Sequence, residues 1–283
     1  KSFVYRSIDR SKPYLFHILS YLEKRNLPHE LALLPMVESG FQPFAYSTSR
    51  AAGIWQFIPP TAREYGLKMN WLYDGRRDVL ESTKAATYFL RDMHRHFKGN
   101  WLLAIASYNT GAGNVGKAID RANNLFTKPS YWDLNLPRET ELYVPRLLAL
   151  SKIIANPQRY GFDLPAIPNK KFTSTVNFRD PLDFKTLSII TGVSQEELTN
   201  LNPGYSTWIL DPSQQNKLLL PVDAAKVFNK RYNKVSRSIY ENKIHKVVKG
   251  DSLYKISRIY NVKISALKKT NGLTKDVIYI NQK

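Results

Sequence analysis

The chain has 283 residues and a mass of 32.6 kDa, enough for two domains with room for a small third at about 100 to 200 residues each. With 43% hydrophobic, 12% aromatic and 23% charged residues it is neither disordered nor fibrous, and with no cysteine it has no disulfide, thiol nucleophile or Cys-ligated metal site. No apolar run approaches the roughly 18 residues of a membrane span, while 42 Lys and Arg against 23 Asp and Glu give +19, pointing to a polyanionic partner: nucleic acid, an anionic membrane surface or an anionic cell-wall polymer.

Residues 1 to about 160 read as helical, with apolar spacing near 3.6 and Gly and Pro punctuation. The chain starts at Lys1 without a charged and then apolar leader, so an export signal is expected to have been removed or never present. In residues 28–40, Pro28 suits a first helical turn, Leu27, Leu31 and Leu34 share one face, and Ser39-Gly40 ends the run. Glu38 falls on that apolar face at the negative end of the helix. Lost hydration and the helix dipole both raise its pKa, the condition for a carboxylic acid that must donate a proton near neutral pH. Taken alone, the same Glu could simply fray into solvent.

Next comes Gly53-Ile54-Trp55-Gln56-Phe57, an aromatic stretch with one amide. Asp78 and Glu81 resemble a capping box, followed by an apolar face of Ala85, Ala86, Phe89, Leu90, Met93 and Phe97. A second helix over residues 101–108 leads into Ser107-Tyr108-Asn109-Thr110-Gly111, and a third is expected over residues 138–155, stopped by Pro157. Trp and Tyr faces suit sugar rings, and Gln and Asn offer paired donors and acceptors for hydroxyl and acetamido groups.

Residues 182–204 slide by 69 positions onto 251–273, aligning Ser188 with Ser257, Ile190 with Ile259, Val193 with Val262, Leu198 with Leu267 and Asn202 with Asn271. Two copies of a small unit are expected, with a basic linker or long helix over residues 224–243 between them. The second copy reads as strand (244–248), a Gly250-Asp251-Ser252 cap, two helices, then strand (277–280). Residues 243–283 carry ten Lys or Arg against Asp251 and Asp276, a net +8 that suits a small binding module.

Glu38-Ser39, the Gly53 to Phe57 stretch, Ser107 to Gly111 and Glu139-Thr140 with Tyr143-Val144 together resemble, in order and spacing, the signature of the lysozyme-like Slt family of lytic transglycosylases. Val247-Val248-Lys249-Gly250-Asp251-Ser252-Leu253 and residues 267–272 resemble a LysM module. The resemblance implies a mainly α fold: a lysozyme-like catalytic domain (1–165), a degenerate LysM-like unit (166–223), the basic linker (224–243) and a LysM module (244–283) of βααβ type, cut short before its last strand is complete. It implies non-hydrolytic cleavage of the MurNAc-GlcNAc β-1,4 bond of peptidoglycan, leaving 1,6-anhydro-MurNAc ends, in the periplasm. Association with the outer membrane would need a lipid-bearing segment missing from this chain.

By the same resemblance, Glu38 is acid and then base, Ser39 and Tyr108 bond or orient it, Gln56 and Asn109 hold substrate, and Tyr143 lines the site. Gly250, Asp251, Ser252, Leu253, Asn271, Gly272 and Leu273 would frame a groove for N-acetylglucosamine chains. The first copy has Leu182-Asp183 where the second has Asp251-Ser252, which puts sugar binding there in doubt. A hydrolytic glycosidase needs a second carboxylate, and no Asp or Glu falls inside the other motifs before Glu139, in keeping with a single-acid mechanism needing no cofactor.

Three rival readings remain. Gly111-Ala112-Gly113-Asn114-Val115-Gly116-Lys117 fits GxGxxG and most of a Walker A loop, but Ala118 follows the Lys and no strand is expected before it, so no nucleotide is expected. Nucleic-acid binding is disfavoured because the basic residues are spread along the whole chain. The nearest alternative is an inactive peptidoglycan-binding protein. No metal is expected: His94 and His96 point to different sides of a helix, and His17, His29 and His245 are isolated.

Overall fold

The computed structural model describes residues 1–123, 129–240, 245–260 and 262–282, with side chains 233–240 left aside. Two compact units divide at Phe228 and Asn229. The first opens with α1 (Ser2–Ser11) and α2 (Leu15–Glu23), then α3 (Leu34–Ser39), α4 (Pro59–Glu64), α5 (Val79–His96), α6 (Trp101–Thr110), α7 (Ala112–Asn123) and α8 (Arg138–Ala155). None of the described helices is long and apolar enough to cross a membrane.

Helix α5 starts where the sequence places it, because the Asp78 carboxylate accepts from the Leu80 and Glu81 amides at 3.0 and 2.9 Å. That satisfies two donors left over at a helix start. Helix α6 is buried over five consecutive residues, Leu103 to Ser107, as suits a central helix packed on α5, α7 and α8. Helix α8 shows the core-facing pattern Thr140, Tyr143, Val144, Leu147.

Residues 28–40 depart from the expected single helix. They form a 3-10 turn (His29–Leu33) followed by the short α3. Pro35 has no N–H to give to the Leu31 carbonyl, so an α pattern cannot pass through it. The decoy glycine run lies mostly within α7 and follows helix α6 rather than a strand.

The repeat is visible in the elements. In the first copy β1 (Thr173–Asn177) leads to β2 (Leu182–Asp183), α9 (Phe184–Thr191), α10 (Gln195–Leu201), β3 (Ile209–Leu210) and β4 (Lys217–Pro221). Strand β1 pairs antiparallel with β4, Thr173 opposite Pro221 and Asn177 opposite Lys217, while β2 pairs with β3. Helix α11 (Val222–Tyr240) follows. In the second copy α12 (Leu253–Ile259) and α13 (Ile264–Thr270) begin 69 residues after α9 and α10.

Residues 224–243 are thus mostly helix: α11 starts at Val222, with Ala224, Ala225 and Phe228 buried, and residues 241–243 lie outside the described set. The strands expected at 244–248 and 277–280 are absent from the described residues, and Ile244 lies outside them. Pairing is confined to Val247, whose N–H donates to Gln282 O at 2.9 Å and whose carbonyl accepts from Asn281 N at 2.8 Å. Val247, Leu253 and Ile256 form the small core of this unit.

The first copy is not a satellite of the helical region. Its Leu201 and Leu219 belong to the same buried cluster as Ile18, Leu34, Trp55 and Val144.

Candidate active site

Helix α3 ends abruptly, and that places Glu38. Gly40 adopts φ +58°, and its N–H bonds Met36 O while that of Phe41 bonds Pro35 O, both at 3.1 Å. This left-handed cap suits glycine. A side chain there would also meet the Phe3 ring at 3.1 Å and Ser7 Oγ at 3.2 Å.

From α8, Tyr143 donates its hydroxyl to Glu38 Oε1. Tyr143 is 3% exposed, which fixes the phenol against the carboxyl. Burial pushes the Glu38 carboxyl from an ordinary 4.5 up to about 7; the Tyr143 hydrogen bond pulls against this and the charge of Glu139 adds to it. Glu38 is therefore part protonated near neutral pH. Burial and the neighbouring Glu38 charge both hold the Tyr143 and Tyr108 phenols above their usual range, so both remain donors.

The loop at residues 50–57 is strapped across α3, α5 and α6. Trp55 is fully buried; its Nε1 donates to Thr83 Oγ1 and its carbonyl accepts from Tyr108 Oη, each at 2.8 Å. Ser39 Oγ lies within donor distance of Ile54 O at 3.0 Å and Pro35 O at 3.1 Å. Gln56 has φ +50°, uncommon for a side-chain-bearing residue, and its amide nitrogen donates to Gly53 O at 2.7 Å. Asn109 sits at the end of α6, its Nδ2 donating to Glu139 Oε1 at 3.3 Å and its Oδ1 accepting from Thr140 Oγ1 at 2.7 Å.

The hydroxyls of Tyr143, Ser39 and Tyr108 are placed differently. Tyr143, expected to line the site, is the residue bonded to Glu38. Ser39 and Tyr108, expected to bond or orient Glu38, set their hydroxyls against backbone carbonyls and tie the 50–57 loop to α3 and α6. Thr83 and Arg76 were not singled out from sequence, and Glu139 and Thr140 entered only as part of a motif, with no role of their own. For Glu139 a signal existed, since it precedes Tyr143 by one helical turn; for Arg76 there was none.

Chemically, the arrangement offers one half-buried acid held by a phenol, beside a loop carrying an amide and a second amide anchored to a carboxylate. Cavities of about 340 and 390 Å³ lie elsewhere in this unit, lined by residues including Lys68 and Gln214 or His17 and Lys171, and neither includes Glu38.

Residues 18–130 match the family described as transglycosylase SLT domain, which holds α3, the 50–57 loop and α6. The chain belongs to the lytic transglycosylase family. Residues 172–237 match the LysM-like domain described for lytic transglycosylase MltD, and residues 245–283 match the LysM domain. Membrane-bound lytic murein transglycosylase D of Escherichia coli (strain K12) is 41% identical over 221 residues, 78% of this chain and 49% of that protein. An Alteromonas sp. (strain M-1) protein described as "Putative tributyltin chloride resistance protein" is 39% identical over 160 residues, 56% of this chain and 75% of that one. Membrane-bound lytic murein transglycosylase F of Desulfosudis oleivorans is 32% identical over 117 residues, 38% of this chain and 24% of that protein. The chain thus spans about half the length of the first of these relatives. Glu139 and Tyr143 of α8 lie beyond the end of the SLT match, so in this member of the lytic transglycosylase family their place beside Glu38 comes from the fold.

The residues expected to form the LysM groove lie in the second unit, and several serve its own architecture. The Asp251 carboxylate, 2% exposed, accepts from Val248 N at 3.0 Å, His245 Nε2 at 2.7 Å and Lys255 Nζ at 3.2 Å. The Val248 amide first, then His245, hold its pKa down to about 2. Ser252 caps α12 through Lys255 N at 3.1 Å, and Leu253 is buried. Asn271 turns its amide back to Leu267 O at 2.9 Å, and Gly272 has φ +64°. Among these, Gly250, Asn271 and Gly272 stay exposed and Leu273 half-buried.

Proposed function

We propose that this chain is the catalytic and glycan-binding part of a peptidoglycan lytic transglycosylase that works with one carboxyl group. The observation that carries this reading is the Glu38 carboxyl, bonded by Tyr143 and raised to about 7 in a member of the lytic transglycosylase family. Protonated Glu38 gives its proton to the glycosidic oxygen as the C1–O bond of MurNAc breaks, and the leaving GlcNAc departs with a free hydroxyl. The substrate's acetamido group supports the positive centre. Glu38, now a carboxylate, takes the proton of the MurNAc C6 hydroxyl as that oxygen closes on C1, which restores the acid and consumes no water. Tyr143 steadies the carboxylate between the two steps, while Gln56 and Asn109 hold the sugars.

In this reading residues 1–165 are catalytic, the unit at 166–223 is LysM-like, and the module at 244–283 binds N-acetylglucosamine chains through Gly250 and Asn271 to Leu273. The place of action is the cell envelope, on its periplasmic side.

A second reading has a specific observation behind it. Glu139 reaches Asn109 at 3.3 Å and its charge is felt at Glu38, so a second carboxylate stands near the acid. Were it to activate water, the reaction would be hydrolysis. Mass spectrometry of products from purified sacculi separates the two: anhydro ends are lighter by one water than reducing ends. The single-acid reading expects anhydro products that vanish with Glu38→Gln. Reducing ends abolished by Glu139→Gln would establish the hydrolase, and bound but uncut sacculi would mean a binding protein.

A further inference from the structure

The seam between the first repeat and the helical region runs along residues 66–78, and it leads to the loop that carries Gln56. On the repeat side, Tyr73 and Tyr205 form an antiparallel bridge with rings 5.4 Å apart at 70°. Asp74 N donates to Gly204 O at 2.7 Å, Ser206 N to Leu72 O at 2.8 Å, and Asn70 Nδ2 to Gln214 Oε1 at 2.6 Å. The fit is close at Gly204: a Cβ there would stand 2.8 Å from the Tyr73 ring and 3.1 Å from Asp78 Cβ. Tyr73 is 2% exposed and its hydroxyl bonds Asp78 Oδ2 at 2.7 Å, so the ring has nowhere to retreat.

On the other side of the same residues stands Arg76. Its guanidinium is paired with Asp74 at 2.7 and 2.9 Å, and both side chains are nearly buried, at 8% and 14% exposure. With its charge offset and its plane fixed by that fork, Arg76 Nη1 donates to Arg50 O at 2.5 Å and lies 3.4 Å from Phe57 O. Those two carbonyls bracket the 50–57 loop. Midway along it, Gly53 packs so tightly on the Arg76 backbone that a Cβ would stand 2.0 Å from Arg76 O. Gly53 in turn accepts the Gln56 amide that fixes the strained Gln56 backbone.

We propose that the first repeat is a brace for the substrate loop: through Gly204 and Tyr205 it fixes residues 70–74, and Arg76 transmits that constraint to the loop bearing Gln56. Arg76 is a positioning residue and touches no substrate. This rests on the proposed function only in taking Gln56 as a substrate contact. It gives the degenerate repeat, with Asp183 spent on capping α9 through Thr186 N at 2.6 Å, a role that needs no sugar.

The test uses the full chain. Gly204→Ala pushes on Tyr73 from the repeat, Arg76→Lys breaks the fork, and Asn70→Ala, at the exposed edge of the seam, is the milder variant if either fails to fold. Two quantities are read: amide hydrogen exchange at Ala52, Gly53 and Gln56 against α5 amides, and kcat and KM on soluble glycan strands. The brace expects exchange at those amides about tenfold faster with α5 unchanged. It expects KM raised about tenfold with kcat within about twofold and an unshifted pH profile, as for loss of uniform binding. Because both changes act through one connection, Gly204→Ala with Arg76→Lys should again give about tenfold, where independent effects would multiply to about a hundredfold. Unchanged loop exchange in a folded seam variant, or a multiplied effect in the double variant, overturns the brace. Wild-type protein that releases no anhydro product sinks the activity reading instead, and the exchange experiment still decides the brace.

Discussion

Replacing Glu38 by Gln separates the chemistry of the acid from its cost to the fold. A carboxyl raised from 4.5 to about 7 is stabilised in its protonated form by the folded chain. Its contribution to stability is present in full below 4.5 and is lost as pH rises through about 7. At ~1.4 kcal/mol per tenfold change in protonation, the loss is about 3 kcal/mol. Gln has nothing to ionise and keeps an acceptor for the Tyr143 hydroxyl. The melting temperature of Glu38→Gln minus that of wild type should therefore grow between pH 4.5 and pH 8. For a unit of this size, unfolding entropy is on the order of 0.5 kcal/mol per degree, so the growth is about 6 °C. Paired thermal melts at constant ionic strength measure it, with other titrating groups cancelling in the difference. Cleavage of sacculi should vanish in the same variant. A difference that stays flat with pH would show that the Glu38 carboxyl is not held up by burial, and the account of how it stays protonated would go with it.

Tyr143→Phe removes a bond that favours the carboxylate, so the Glu38 pKa should rise further and the alkaline limb of the rate profile should move to higher pH; a limb moving down would contradict the assigned donor. Gly40→Ala must hold φ near +58°, at a cost of about 1 to 3 kcal/mol in urea denaturation of the first unit; a neutral result would mean that α3 can end another way. Asp251→Ala strips three donors of their acceptor and should weaken sacculus binding while leaving turnover of short soluble glycans unchanged, as should deletion of residues 243–283. Since Asp251 is held at about 2, wild type should keep this part of its stability above about 3.8 and lose it only as pH falls through about 2, followed by the His245 ring signals in NMR.

Much of this was legible in the chain because the forces involved are local. The Asp78 cap, the bounds of α8 and the 69-residue offset of α9 and α10 onto α12 and α13 each follow from a side chain acting on backbone within one turn, or from a pattern repeated in apolar spacing. Glu38 was legible for the same reason, standing on an apolar face just before a glycine stop. Local reasoning failed at Pro35, whose missing donor outweighed the apolar period. It failed again in the second copy, where the strands expected at 244–248 and 277–280 are absent from the described residues and backbone pairing is seen at Val247.

What the sequence could not decide is what each functional group faces. Tyr143 lies 105 residues from Glu38, and nothing in its neighbours says that its hydroxyl reaches that carboxyl while those of Ser39 and Tyr108 turn to backbone. The rise of the Glu38 pKa comes first from burial, a property of the packed chain and not of any motif. Arg76 carries no signature at all: its role exists only because folding brings Asp74, Arg50 and Phe57 around it. The sequence by itself determined which side chains are candidates for chemistry and where helices such as α5 and α8 begin. Tertiary structure decided which of them meet and that the Glu38 pKa is raised, because both depend on water excluded by residues far apart along the chain.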